Sequence, residues 1–142
     1  MLVHCLYASR AAQPLTSGLL DSILEQSSKN NPKVGITGLL CLTNDVFVQI
    51  IEGGRDEVNE LFMAISRDSR HRDIRLLAFE EIAQRRFGNW TMGQVDIDNI
   101  NRALILKHSE KAELNPFGCS GRATMALLDD LVATGSISSR SK

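Results

Sequence analysis

Gln49 is the residue whose surroundings most demand an explanation. Its neighbours Phe47, Val48, Ile50 and Ile51 are apolar and β-prone, so the amide falls in what reads as a central, buried strand. A buried amide left without partners costs about 1–3 kcal/mol, so something polar must face it, and the candidates are Tyr7 and Asn31. A phenol and two amides offer hydrogen bonds but no strong nucleophile or base. Such a cluster is poorly suited to hydrolysis and well suited to collaring a polar heteroaromatic ring. From periodicity alone the same residues also read as a self-satisfied polar network inside the core, and the pattern does not choose between the two.

The elements around these residues follow from their spacing. Residues 2–9 alternate Val3, Cys5 and Tyr7 on one face with Leu2, Leu6 and Ala8 on the other, a first strand buried on both sides. Thr16 is suited to cap a helix whose apolar stripe is Leu19, Leu20, Ile23 and Leu24, ending in the polar cluster 27–31. Pro32 pushes Asn31 toward extended backbone, and residues 34–43 read as a second strand with Gly35 and Gly38 leaving room for close approach. After the turn Asn44-Asp45, residues 46–51 form a third strand in a hairpin with the second, closed by Gly53-Gly54. Val58, Leu61, Phe62 and Ile65 recur at helical spacing, with Asp56 and Glu57 favourable at the N-terminal dipole. Residues 74–82 and 90–95 supply two further strands.

The order β-α-β-β-α-β-β is the ferredoxin-like pattern with a fifth strand, an α+β fold that places both helices on one face of the sheet. Strands 1 and 3 are neighbours in that fold, which brings Tyr7 toward Gln49. Trp90 and Met92, two apart on the fifth strand, are expected on one face. Beyond residue 96 come a short helix over 98–106 and a second over 120–134, whose stripe Met125, Leu128, Leu131 and Val132 either caps the sheet or makes a homodimer contact. The tail, residues 136–142, reads as disordered.

Composition narrows the function classes. Of 142 residues, 43% are apolar and 23% charged, an ordinary globular balance for one domain. Sixteen basic against seventeen acidic residues leave no general field for nucleic acid or an anionic membrane. No apolar run reaches membrane-spanning length, and the N-terminus, with His4 and no basic leader, does not read as a signal peptide. Three widely spaced cysteines, Cys5, Cys41 and Cys119, argue against a disulfide framework or a Cys-based zinc site and fit a reducing cytoplasm. No phosphate loop, dinucleotide fingerprint, catalytic triad or metal motif is present.

Several segments, in order, carry a family resemblance: Leu6-Tyr7-Ala8-Ser9; Asn30-Asn31 through Gly35-Ile36-Thr37-Gly38-Leu39-Leu40; Phe47-Val48-Gln49-Ile50-Ile51-Glu52-Gly53; Arg67-Asp68-Ser69-Arg70-His71; and Arg86-Phe87-Gly88-Asn89-Trp90-Thr91-Met92. From Leu2 to Val95 the chain resembles the BLUF domains, blue-light sensors that use FAD. The resemblance implies non-covalent FAD, with FMN or riboflavin as substitutes, lying between the two helices and gripped by Ile23 and Ile65. It implies that Asn31 bonds the polar edge of the ring and that Lys29, Asn30, Asp68, Arg70 and His71 meet the ribityl chain and tail. Tyr7 is expected to pass an electron and a proton to the excited flavin and recover them, leaving the Gln49 amide rearranged and the absorption shifted to the red. Trp90 and Met92 are the expected output. The resemblance further implies a sensor rather than an enzyme, a flavin domain over 1–95, a helical extension over 96–142, and an unidentified downstream protein partner. The competing classes are a light-independent flavoprotein and a ferredoxin-like module that binds a small ligand.

Overall fold

The computed structural model describes residues 1–14, 16–135 and 137–139. The alternating N-terminal segment forms β1 (Leu2–Ala11), and Thr16 caps α1 (Ser17–Val34), its side chain accepting from the Leu19 N–H at 3.1 Å. There follow β2 (Thr37–Thr43), β3 (Val46–Gly54), α2 (Arg55–Ser66), β4 (His71–Ile82) and β5 (Gly93–Asp96). A single 3-10 turn (Ile97–Asn99), α3 (Arg102–Leu106), α4 (Gly121–Ala133) and the two-residue β6 (Ser138–Ser139) complete the described chain.

The strands form one sheet in the order β4-β1-β3-β2-β5-β6. The first four alternate antiparallel in the ferredoxin-like arrangement, and β5 adds parallel to β2. One core lies between the sheet and α1/α2 and includes Val3, Cys5, Leu24, Leu40, Phe47, Ile51 and Val58. The other lies on the opposite face and joins Leu6, Ala8, Leu39, Val48 and Ile50 to Leu127, Leu128 and Leu131 of α4. β1 contributes to both cores, as a strand apolar on both faces must. Burial pushes the thiols of Cys5 and Cys41 up to about 12, so both act as small apolar side chains.

Helix α1 does not end where its polar cluster begins. It runs through Asn31 and Pro32 to Val34, because Gly35 in the left-handed region (φ 70°) closes it. The Ile36 N–H donates to the Asn31 carbonyl at 2.9 Å and the Gly35 N–H to the Pro32 carbonyl at 3.5 Å, the paired bonds of a Schellman ending. These bonds offset the helix hydrogen bond that Pro32 cannot make. Asn31 is therefore helical rather than extended, and β2 starts three residues later than the apolar run suggested.

Helix α4 caps the second face of the sheet. Its buried residues are Thr124, Leu127, Leu128 and Leu131, while Met125 and Val132 sit at the margin, so the stripe is rotated by about one position from the expected one. The apolar face that suggested a dimer contact is covered within the chain. The helix expected over 98–106 divides into the 3-10 turn and α3, with Asn101 capping the latter through the Ala103 N–H. In the tail, Ile137 packs against the second core and Ser138–Ser139 pair with β5 instead of being disordered, while residues 136 and 140–142 lie outside the described residues.

Candidate functional site

β1 and β3 pair in a register that sets Tyr7 directly opposite Gln49. The Tyr7 hydroxyl donates to Gln49 Oε1, and Gln49 Nε2 donates to Met92 Sδ at 3.3 Å. Tyr7 is 1% exposed, its ring edge-on to Phe62 at 5.5 Å, and burial pushes its phenol well above the usual range, with Cys5 and Asp68 adding to the shift. The phenol is accordingly neutral and available as a donor. Asn31, buried on the last turn of α1, donates from Nδ2 to the Thr91 carbonyl at 2.9 Å. The three polar residues singled out by their apolar surroundings thus converge at one place, Asn31 and Gln49 both reaching the segment that carries Met92.

These residues line a cleft of about 140 Å³ between the two helices. Ile23, Asn30 and Asn31 enter from α1, Ile65 from α2, Tyr7 and Gln49 from the sheet, and Asp68, Arg70 and His71 from the loop after α2 and the start of β4. Arg70 grips Asp68 through Nη2 at 2.6 Å and through Nε at 3.0 Å, and reaches Gln26 Oε1 at 3.1 Å. The Arg70 hydrogen bond holds the Asp68 carboxyl below its usual range. His71 shares a hydrogen bond with Ser9 Oγ at 2.8 Å and tilts against Phe47; burial lowers its pKa, more than Asp68 raises it. A neutral imidazole, a carboxylate and a guanidinium therefore stand together on one side of the cleft.

Lys29 is exposed and lies about 100° around α1 from Asn30, outside the lining of the cleft. One expectation fails here. Trp90 and Met92 do not share a face. The backbone bends at residues 91–92 and β5 begins only at Gly93, so Met92 enters the helix-side core while Trp90 packs in the opposite one. Gln26, Ser27 and Ala64 also line the cleft without having been singled out, and Leu61 does so from the apolar stripe of α2. Their signal was available: 23, 26, 27, 30 and 31 repeat at helical spacing on one face of α1.

A larger cavity, 460 Å³, lies between the β2–β3 turn and residues 109–119, with Arg10, Lys111 and Glu113 in its walls. It contains none of the converging phenol and amide groups, so size does not choose the site. Among the described residues no group of three His, Cys, Asp or Glu could hold a metal, and no helix is long and apolar enough to cross a membrane.

A ferredoxin-like sheet whose cleft offers a neutral phenol and two amides, with an imidazole, a carboxylate and a guanidinium at one side, defines a module with the polar groups to hold a ring-shaped ligand and its tail. The family model described as sensors of blue-light using FAD matches residues 2–93. The chain belongs to the BLUF family, and it is a flavin-binding blue-light sensor. The chain is 32% identical to the photoactivated adenylate cyclase subunit beta of Euglena longa over 87 residues, 61% of this chain but 10% of that protein. It is 26% identical over 119 residues to the blue light- and temperature-regulated antirepressor BluF of Escherichia coli, covering 80% of this chain and 30% of that one. It thus spans about a tenth of the length of the cyclases it matches. Among solved structures, BlrB in its dark state superposes with a TM-score of 0.76 at 34% identity, covering 94% of this chain and 96% of that one. Photo-activated BlsA superposes with a TM-score of 0.81 at 28% identity, covering 93% and 95%.

Proposed function

We propose that this chain acts as a photoreceptor in which Tyr7 and Gln49 form a light-operated hydrogen-bond switch, with the signal leaving through the Trp90–Met92 segment. The observation that carries the reading is the buried chain Tyr7 hydroxyl to Gln49 amide to Met92 thioether. A bound flavin supplies blue-light absorption and, once excited, an acceptor for an electron and a proton. Ile23 and Ile65 flank the gap between the helices, Asn31 and Gln49 offer amides to the polar ring edge, and Asn30, Asp68, Arg70 and His71 suit the ribityl chain and tail. The donor set fits: among the described residues, the donor of the Gln49 amide finds only a thioether, a weak acceptor, and a ring carbonyl would be a better one. At about 140 Å³ the cleft is smaller than the roughly 300–1,000 Å³ of most small-molecule sites, so binding widens the gap between α1 and α2.

Glutamine suits the relay because it can meet a phenol in two ways. Its oxygen accepts from the hydroxyl, as here, or after rotation its nitrogen donates to the phenol oxygen. Tyr7, deprived of its proton and then given it back, releases the amide for that exchange. Rotation takes Nε2 off Met92 Sδ, and the thioether then has no donor to hold it. No substrate is consumed, and the state decays thermally.

The match to nearly the full length of BlrB and BlsA supports a flavin domain over 1–95 with a helical extension over 96–142, and the three free cysteines fit work in a reducing cytoplasm, on a downstream protein. A partner protein is favoured over a second copy of the chain because the apolar face of α4 is buried internally. The test is the visible spectrum of the purified protein, with FAD, FMN or riboflavin, before, during and after blue illumination. A reversible red shift is expected. Bound flavin without a shift would make this a light-independent flavoprotein, and failure to bind flavin would return it to the ligand-module class.

A further inference from the structure

Residues 83–92 join β4 to β5 without strand or helix, so their position depends on specific hydrogen bonds. The first anchor is Glu52, a carboxylate on β3 that is 0% exposed. Oε2 accepts from the Arg86 N–H at 2.7 Å, while Oε1 accepts from the Phe87 N–H at 3.0 Å and from Thr37 Oγ1 at 3.1 Å. Arg85 completes the clamp, donating from Nη1 to Thr37 Oγ1 at 2.8 Å and to the Glu52 carbonyl at 3.3 Å. From there the Trp90 N–H donates to the Phe87 carbonyl at 3.2 Å, and the Gly38 N–H to the Trp90 carbonyl at 3.1 Å. The loop ends with Met92 on the Gln49 amide.

Burying a carboxylate is costly unless donors surround it, so a residue there is justified by what it holds. Here it holds the entry of the loop that delivers Met92, and it does so from the strand that carries Gln49, three residues away. We propose that Glu52 is a positioning residue for the photocycle: it references Met92 to Gln49 and governs how readily the thioether leaves and returns. This inference rests on the reading that Gln49 and Met92 part during signalling. A looser clamp disfavours the arrangement in which Met92 meets the amide, and so prolongs the signalling state.

The test uses the full chain bound to FAD, comparing wild type, Glu52→Gln, Met92→Ala and the double variant. Glutamine keeps the shape but turns an NH2 toward a backbone N–H. Glu52→Gln is expected to bind FAD and retain the red shift, but to recover in the dark more slowly by roughly tenfold, the scale of one lost hydrogen bond. Trp90, the single tryptophan, is expected to show altered dark-state fluorescence as the loop loosens. In the Met92→Ala background the effect of Glu52→Gln is expected to shrink to within about twofold, no more than the scatter with which independent effects add. A merely structural carboxylate would slow recovery in neither background, or equally in both, and either result overturns the inference. Arg85→Met, which loosens the clamp from the partly exposed side, decides the matter by the same comparison if Glu52→Gln fails to fold. No red shift in wild type would instead sink the photoreceptor reading, and this inference with it.

Discussion

Tyr7 and Gln49 can be tested as an energetic unit, because each leaves the other stranded when removed. Tyr7→Phe keeps the ring and its edge-on contact with Phe62 but leaves Gln49 Oε1 buried without a donor. That orphan costs about 1–3 kcal/mol. Gln49→Leu strands the Tyr7 hydroxyl in turn, at a similar cost of about 1–3 kcal/mol. The double variant removes both polar groups and replaces them with apolar surface, so its loss should fall well below the sum of the singles. The coupling is expected at about 1–3 kcal/mol. For a domain of this size one kcal/mol is worth roughly 3–5 °C in Tm, which puts each single variant roughly 3–15 °C below wild type. The assay is urea and thermal unfolding in the dark at a fixed excess of FAD, with the FAD Kd of each variant measured so that the ligand contribution can be subtracted. Strict additivity would refute the claim that the phenol and the amide satisfy each other. Under illumination both single variants should hold flavin and show no red shift, and normal switching in either would refute the relay.

Leu128→Ala, at a residue 2% exposed beneath α4, should cost about 2–5 kcal/mol and lower the urea midpoint while leaving FAD affinity unchanged, because the two cores lie on opposite faces of the sheet. A tenfold or larger loss of FAD affinity would show the cores to be less separate than the packing indicates. A pH dependence follows from His71, whose folded pKa is lowered from 6.5, chiefly by burial. Below 6.5 the unfolded chain takes up this proton before the folded one does, so the stability tied to the neutral ring is full above 6.5 and is lost as pH falls toward the folded value. Asp68, held low by Arg70, contributes in the more acid range, with stability present above 3.8 and lost as pH drops through its folded value. Urea midpoints between about pH 8 and 5 should therefore decline less steeply in His71→Gln than in wild type, and identical slopes would rule out the assigned role of the ring.

The parts of the fold legible in the sequence were those set by local periodicity. The double-faced apolar pattern of β1, the stripe Val58, Leu61, Phe62 and Ile65 on α2, and the Thr16 cap each depend on neighbours within a few residues, and each stands where the pattern put it. The end of α1 was not legible in the same way. Pro32 carries a strong local signal for a break, but Gly35 closes the helix with two backbone bonds, and the competition between them is decided by the whole capping arrangement. The stripe of α4 was displaced by one position because Met125 and Val132 are as apolar as the leucines beside them. Which of them is covered is set by how α4 packs on the sheet, not by its own sequence.

The Trp90–Met92 segment shows the limit most clearly, and it also bears on mechanism. Residues two apart share a face only while the backbone stays extended. Here Asn31 of α1 takes the Thr91 carbonyl and Gly38 of β2 takes that of Trp90, two contacts from distant parts of the chain that bend the segment before β5 begins. As a result Met92 belongs to the core beneath the cleft, and Trp90 to the core beneath α4. A shared face would have made the two residues alternatives for one position beside Gln49. Opposite faces make them the two ends of a connection through the sheet. If the proposed switch operates, a change in the hold of Gln49 on Met92 would reach the packing around Trp90, Ile137 and α4 across three residues of backbone.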